Sequence, residues 1–135
     1  MRVRPAKESD FPQISRLAGA LGLDYPGMEN DRLWVAEKAD RVVGIVALKK
    51  HHDCHELVSL GVDPEFRDRG IGRRLILALT RSTAADVYLA TIIPGFFARG
   101  GFKKVRSVPT GMKKPPAWCE GCPKEKCTVM VKPGR

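Results

Sequence analysis

The stretch 66-FRDRGIGRRLILAL-79 sets glycines at 70 and 72 at the mouth of an apolar run, with arginines at 67, 69, 73 and 74 around them. Both features count against a helix start. Glycine costs about 1 kcal/mol relative to alanine inside a helix, and the partial positive charge at a helix N-terminus disfavours cations there. An anion at that mouth reconciles them. Backbone N–H groups in a strand-to-helix turn form an anion site, glycine lets the chain approach a phosphate without a Cβ in the way, and arginines add bidentate contacts to its oxygens. The competing reading is that Gly70 and Gly72 mark only a tight turn.

The kind of phosphate is narrowed by spacing. There is no GxxxxGK[ST] run for a nucleotide P-loop, and the third glycine of a GxGxxG dinucleotide fingerprint would fall on Leu75. The pattern present is Arg67-x-x-Gly70-x-Gly72, inside a strand–turn–helix unit that runs from Leu57 to Leu79.

Working outward, the chain has 135 residues, and a single domain over residues 1–135 is expected. A hydrophobic fraction of 43% and a charged fraction of 29% are ordinary for a soluble globular protein. No apolar run approaches the ~20 residues of a membrane span, and MRVRPAKESDF has no signal-peptide core. A cytoplasmic location without structural disulfides or membrane association is therefore expected. The balance of 24 Lys+Arg against 15 Asp+Glu gives a formal charge of +9 and points to an anionic partner. A nucleic-acid partner is the lesser reading, because there is no long basic tract and little interleaving of aromatics with the charges.

Val3 and its neighbours read as a short first strand. Ser9 or Asp10 is expected to cap an amphipathic helix through Ile14, Leu17 and Leu21 that Gly22 ends. After a loop, 33-LWVAEK-38 and 42-VVGIVALKK-50 read as a hairpin joined by a polar ADR turn. A third strand follows the corner His51-His52-Asp53 at 55-HELVSLGV-62, and a helix is expected at about residues 70–82. A strand 86-DVYLAT-91 leads to a helix that Pro94 starts and Gly100-Gly101 stop. Closing strands are expected at Phe102–Val108 and Thr128–Lys132, on either side of a Pro-, Lys- and Cys-rich loop at 109–127. The fold class is α/β (α+β): a mixed twisted sheet of about six or seven strands with helices on both faces.

In this order the motifs resemble the GCN5-related N-acetyltransferase (GNAT) superfamily. VRPAKESDF is similar to its first strand and helix start, and WVAEKADRVVGIVALKK to its central hairpin. LGVDPEFRDRGIGRRL is similar to its acetyl-CoA-binding motif, and GFFARGGF to its last helix-turn. The resemblance implies that the backbone of Leu60, Gly61 and Val62 pairs with the pantetheine arm of acetyl-CoA. It implies that the N–H groups of Arg67, Asp68, Arg69, Gly70, Ile71, Gly72 and Arg73 hold the pyrophosphate, and that Phe96 and Phe97 lie against the pantetheine end. The expected reaction is acetyl transfer to a small amine. A catalytically weak CoA-binding sensor or interaction module is the alternative, and a homodimer is compatible with either.

Such a transfer needs a neutral amine, so a base is sought. Glu56, six residues before Val62, stands where some superfamily members carry a catalytic glutamate. The alternative for Glu56 is a strand-start carboxylate on a solvated face, and His55 is a weaker candidate base. Relatives with an F-Y-x-x-x-G-F pattern use the tyrosine as general acid; here the position is Phe97, which leaves water or Tyr88. The oxyanion would meet a backbone N–H near Leu60–Val62.

Cys119-x2-Cys122-x4-Cys127 offers three candidate zinc ligands, with a fourth to come from His51, His52, His55 or water. Cys54 is set roughly 20 Å from Leu60 by strand geometry and is disfavoured. Free thiols or a redox-active CxxC pair are the competing readings. PPAWCEGCPKEKC also resembles a loop of short bacterial N-acetylglutamate synthases, which implies an amino-acid acceptor such as glutamate. Lys113, Lys114, Lys124 and Lys126 would suit its carboxylates or be merely solvated, and 24-DYPGM-28 would wall the other side by family analogy.

Overall fold

A computed structural model describes residues 1–112 and 127–134 of the chain. Along it run β1 (Arg2–Pro5), α1 (Phe11–Leu21), β2 (Arg32–Lys38), β3 (Arg41–Lys50), β4 (His55–Val62), α2 (Ile71–Arg81), β5 (Val87–Thr91), α3 (Pro94–Ala98), β6 (Lys103–Lys104) and β7 (Thr128–Lys132). Single 3-10 turns lie at Glu8–Asp10, Met28–Asn30, Pro64–Phe66 and Thr110–Met112. The strands form one seven-stranded sheet in the order β1-β2-β3-β4-β5-β7-β6, in which β1-β2, β2-β3, β5-β7 and β6-β7 pair antiparallel and β4 lies parallel to β5. The expected mixed sheet is thus present. The residues group into two compact units: Met1–Lys49 with Leu57–Thr83, and Lys50–Glu56 with the described residues from Ala84 onward.

In the first unit the hairpin turn sits where the ADR segment predicts. Ala39 (φ 50°) and Asp40 (φ 63°) both occupy the left-handed region, as primed two-residue turns require, and Lys38 pairs with Arg41. Helix α1 presents Ile14, Leu17 and Ala18 to Leu33, Val35, Val42, Ile45 and Ala47. Burying a side chain of this size contributes about 1.5–3 kcal/mol. Helix α2 takes the opposite face: a Cβ built on Gly44 would lie 3.0 Å from Leu75, 3.1 Å from Ile71 and 3.4 Å from Ala36. Because β2 and β3 are covered on both faces, their sequences read as continuous apolar runs rather than alternating ones.

Gly22 ends α1 as expected, at φ 68° with its N–H returned to the helix. The start of α1 corrects one expectation. Asp10 stands at the N-cap position but makes no side-chain cap bond. Its carboxylate is taken instead by the Arg4 guanidinium at 2.7 and 2.9 Å and by the Lys7 N–H at 2.6 Å, while Arg4 also reaches Glu37 at 2.8 Å. With the bidentate guanidinium and the Lys7 N–H on them, both oxygens are committed away from the first turn of α1.

In the second unit β5 is buried through Val87 and Leu89, opposite Lys132 and Met130 of β7. The strand expected over Phe102–Val108 shrinks to Lys103–Lys104. The Phe102 N–H is used to close the α3 turn onto the Phe97 carbonyl, and after Val105 bonds Val129 the chain turns away toward Pro109. Among the described residues no helix is long and apolar enough to cross a membrane.

Candidate active site

Strand β4 carries residues of both units and is irregular at its middle. Its parallel ladder with β5 consists of His55↔Val87 and Glu56↔Tyr88 and stops there. Three residues on, Ser59 takes φ 55°, a left-handed value that interrupts the pleat, and its hydroxyl donates to the Leu23 carbonyl at 2.7 Å. Nothing in HELVSLGV announces this, because serine is not a left-handed residue by preference. Gly61 has a packing reason: a Cβ there would press on the side chains of Leu23 and Leu21. The Asp63 N–H bonds Val43 at 2.8 Å and closes the strand end.

Next comes the RxxGxG turn of the first unit. The Asp63 carboxylate accepts from the Glu65 N–H at 3.0 Å and from Arg41 at 2.8 Å, which anchors the 3-10 turn. Arg67 is extended and donates from Nε to the Val62 carbonyl at 3.2 Å. Asp68 (φ 63°) and Gly70 (φ 77°) then reverse the chain into α2. A Cβ on Gly70 would meet nothing within 4 Å, so the dihedral rather than crowding calls for glycine there. Gly70 provides no side-chain cap, and the first bond closing the helix runs from Arg74 N–H to Gly70 at 3.1 Å. The N–H groups of Ile71, Gly72 and Arg73 are those that helix geometry leaves for an external acceptor. That is the fit an anion requires.

The arginines divide their roles. The Phe66 ring gathers Lys38, Arg41 and Arg69 at 5.4, 5.6 and 5.4 Å, each contact of the cation–π kind that is worth about 0.5–1 kcal/mol at exposed sites. Arg67 and Arg69 therefore help build the turn, while Arg73 and Arg74 lie exposed on its helical side.

In the second unit Glu56 is 1% exposed. This overturns the alternative of a solvated strand-start carboxylate. His51 Nε2 lies 2.7 Å from its Oε1. His51 belongs to the corner before β4, and sequence spacing gave no sign of the pairing. His55 is half-buried on the first rung of the ladder, and Tyr88 is the register partner of Glu56. Phe97 is buried edge-on between Phe96 at 5.1 Å and Phe102 at 5.9 Å, so the position that relatives fill with tyrosine is occupied by an aromatic packing group.

Cys54 is buried, and burial followed by its hydrogen bond to Asp53 pushes its thiol up to about 11. Cys127 is exposed, while Cys119, Cys122, Lys113, Lys114, Lys124 and Lys126 lie outside the described residues. Among the described residues no three His, Cys, Asp or Glu side chains converge as a metal site, and nothing here supports zinc.

Residues 29–104, more than half of the chain, match the acetyltransferase (GNAT) domain family. The chain belongs to the GNAT family. This GNAT acetyltransferase is 33% identical to an uncharacterized N-acetyltransferase of Chlorobaculum tepidum, across 90% of the chain and 87% of the relative. It is also 33% identical to an amino-acid acetyltransferase of Mycobacterium tuberculosis, across 79% of the chain and 71% of that protein. Among solved structures, N-acetylglutamate synthase from Neisseria gonorrhoeae, complexed with coenzyme A and N-acetyl-glutamate, superposes with a TM-score of 0.77 at 20% identity. That likeness is one of fold; it covers all of this GNAT chain but only 36% of the synthase chain.

Proposed function

We propose that this acetyltransferase, acting as one domain, uses acetyl-CoA to acetylate the amine of a small molecule, an amino acid of the glutamate type. The observation that carries the reading is the uncapped turn from Arg67 to Arg73, whose N–H groups and arginines suit a pyrophosphate. Acetyl-CoA supplies the activated acetyl group. Leu60, Gly61 and Val62 offer backbone bonds to its pantetheine arm, and Phe96 and Phe97 its apolar wall. Amino-acid acceptors are supported by the amino-acid acetyltransferase among the relatives.

Glu56 serves as the general base. Being 1% exposed, it takes the amine proton through a water rather than by direct contact. An α-amine near pKa ~8 requires little help, whereas a lysine-type amine near ~10.4 requires more. Phe97 has no proton to give, so the departing thiolate takes one from solvent.

The test is thiol release from acetyl-CoA against a panel of α-amino acids and polyamines. Turnover highest with glutamate or another amino acid is the expected outcome. Turnover with polyamines alone would overturn the acceptor class, and tight acetyl-CoA binding without turnover would favour a sensor.

A further inference from the structure

The buried position of Glu56 poses a problem that the rest of the second unit answers. A base that takes a proton in every cycle must also lose it, and a carboxyl 1% exposed has no direct route to bulk water. The neighbour at 2.7 Å, His51, has a side chain 14% exposed against 2% for Glu56. An imidazole accepts at one nitrogen and donates at the other, which makes it suited to passing a proton outward.

The loop around His51 is built to hold that ring. The backbone N–H of His51 donates to the Cys54 carbonyl at 2.8 Å and closes the corner onto the start of β4. Gly111, in the 3-10 turn Thr110–Met112, runs against the ring's base: a Cβ there would stand 2.6 Å from His51 Cβ and 3.0 Å from its Cγ. The Gly111 N–H donates to both Asp53 oxygens, at 3.1 and 3.3 Å. A turn distant in sequence is thus tied across the corner, at a position where only glycine fits. Among the described residues, Glu56 of β4 lies 2.7 Å from the ring, and His52, Asp53 and Cys54 are the titratable neighbours in its own loop. Tyr88 of β5 stands in register with Glu56.

We infer that His51 is a positioning residue and the proton exit for Glu56, held on it by the Asp53–Gly111 clamp. The proton leaves the acceptor amine for the Glu56 carboxylate through a water. It then passes from Glu56 to His51 Nε2, and the imidazolium loses one proton to a water at its exposed side, which returns the ring to its neutral form. Glu56 returns ionised, and the transfers balance with no further reactant. This rests on the assignment of Glu56 as base, and the experiment separates the two.

His51→Ala, His51→Gln, Gly111→Ala and Glu56→Gln are compared by thiol release with acetyl-CoA and the amino acid that the panel selects. Alongside, long-range ¹H–¹⁵N spectra of the imidazoles read the ring state of His51 without any acceptor. His51→Ala is expected to lower kcat roughly 10- to 100-fold with KM for acetyl-CoA unchanged, and added imidazole to restore part of the loss. His51→Gln, which keeps a donor but cannot relay, stays slow and is not rescued. Gly111→Ala slows turnover in the same sense. In the spectra, Glu56→Gln shifts the His51 nitrogens and leaves those of His52 and His55 in place. Folded His51 variants with the wild-type kcat, or His51 nitrogens indifferent to Glu56→Gln, would overturn the inference while leaving the base assignment intact. A fully active Glu56→Gln would overturn the base assignment itself. If His51→Ala fails to fold, the spectra and His51→Gln decide.

Discussion

Replacing Asp10 by Asn probes the polar lock between β1, α1 and β2. Arg4, 9% exposed, holds Asp10 through two bonds and Glu37 through one. The Arg4 hydrogen bond is the main cause that draws the Asp10 carboxyl from 3.8 down to about 2, against the opposing effect of burial. That depression corresponds to about 2 kcal/mol of stability, and to about 1–2 kcal/mol once solvent screening is allowed for. The substitution also leaves Arg4 with one carboxylate in place of two. Losing all partners of a buried charge costs about 3–5 kcal/mol, so with Glu37 retained a total of about 2–3 kcal/mol is expected. For a chain of this length that is a fall in Tm of roughly 8–12 °C at pH 7. The sign with pH follows from the depressed pKa. The stabilisation is complete above the ordinary carboxyl range and is lost as pH falls from about 4 through about 2, so wild type and Asp10→Asn should converge there. Thermal melts from pH 7 to pH 2 read this directly. A Tm gap below about 3 °C at pH 7, or one that persists unchanged at pH 2, would refute the reasoning.

Three further outcomes are expected. Gly61→Ala should cost less than about 1.5 kcal/mol, because the atoms it meets are the ends of the Leu21 and Leu23 side chains, whereas Gly61→Val should cost about 1–3 kcal/mol by overpacking; denaturant melts distinguish them. Gly70→Ala should cost about 1–2 kcal/mol from its φ of 77° alone, since the space around it is open, and Gly70→Asn should cost less; equal losses for the two would contradict that cause. Native Cys54, with its thiol pushed up to about 11 by burial, should react with iodoacetamide at pH 8 more slowly than in the unfolded chain, by about two orders of magnitude.

What could be read from sequence was what local chemistry dictates. The Arg67-x-x-Gly70-x-Gly72 spacing, the ADR hairpin and the Gly22 stop each depend on a few adjacent residues with strong dihedral preferences, and each stands where it was expected. Four features depend on a choice of partner that residue preference does not dictate, and these escaped. Asp10 does not cap α1 because Arg4, six residues earlier, and the Lys7 N–H take its oxygens. Ser59 bends β4 through a carbonyl 36 residues away. The closing strand is shortened because Phe102 gives its N–H to Phe97. His51 meets Glu56 only because the corner between them folds back, and Gly111 that packs on it lies far along the chain. Glu56 itself was legible as a candidate from its offset to Val62; its burial was not, since HELVSLGV alternates no more clearly than a surface strand would.

The most direct test of acetyl transfer follows the acetyl carbon itself. Protein mixed with acetyl-CoA labelled at the acetyl carbonyl and with L-glutamate is monitored by ¹³C NMR. The proposed function predicts that the thioester signal is replaced by an amide signal, with one free CoA thiol appearing for each amide formed. A thioester that stays intact under saturating binding, or is converted to free acetate with every amino acid tried, would contradict it.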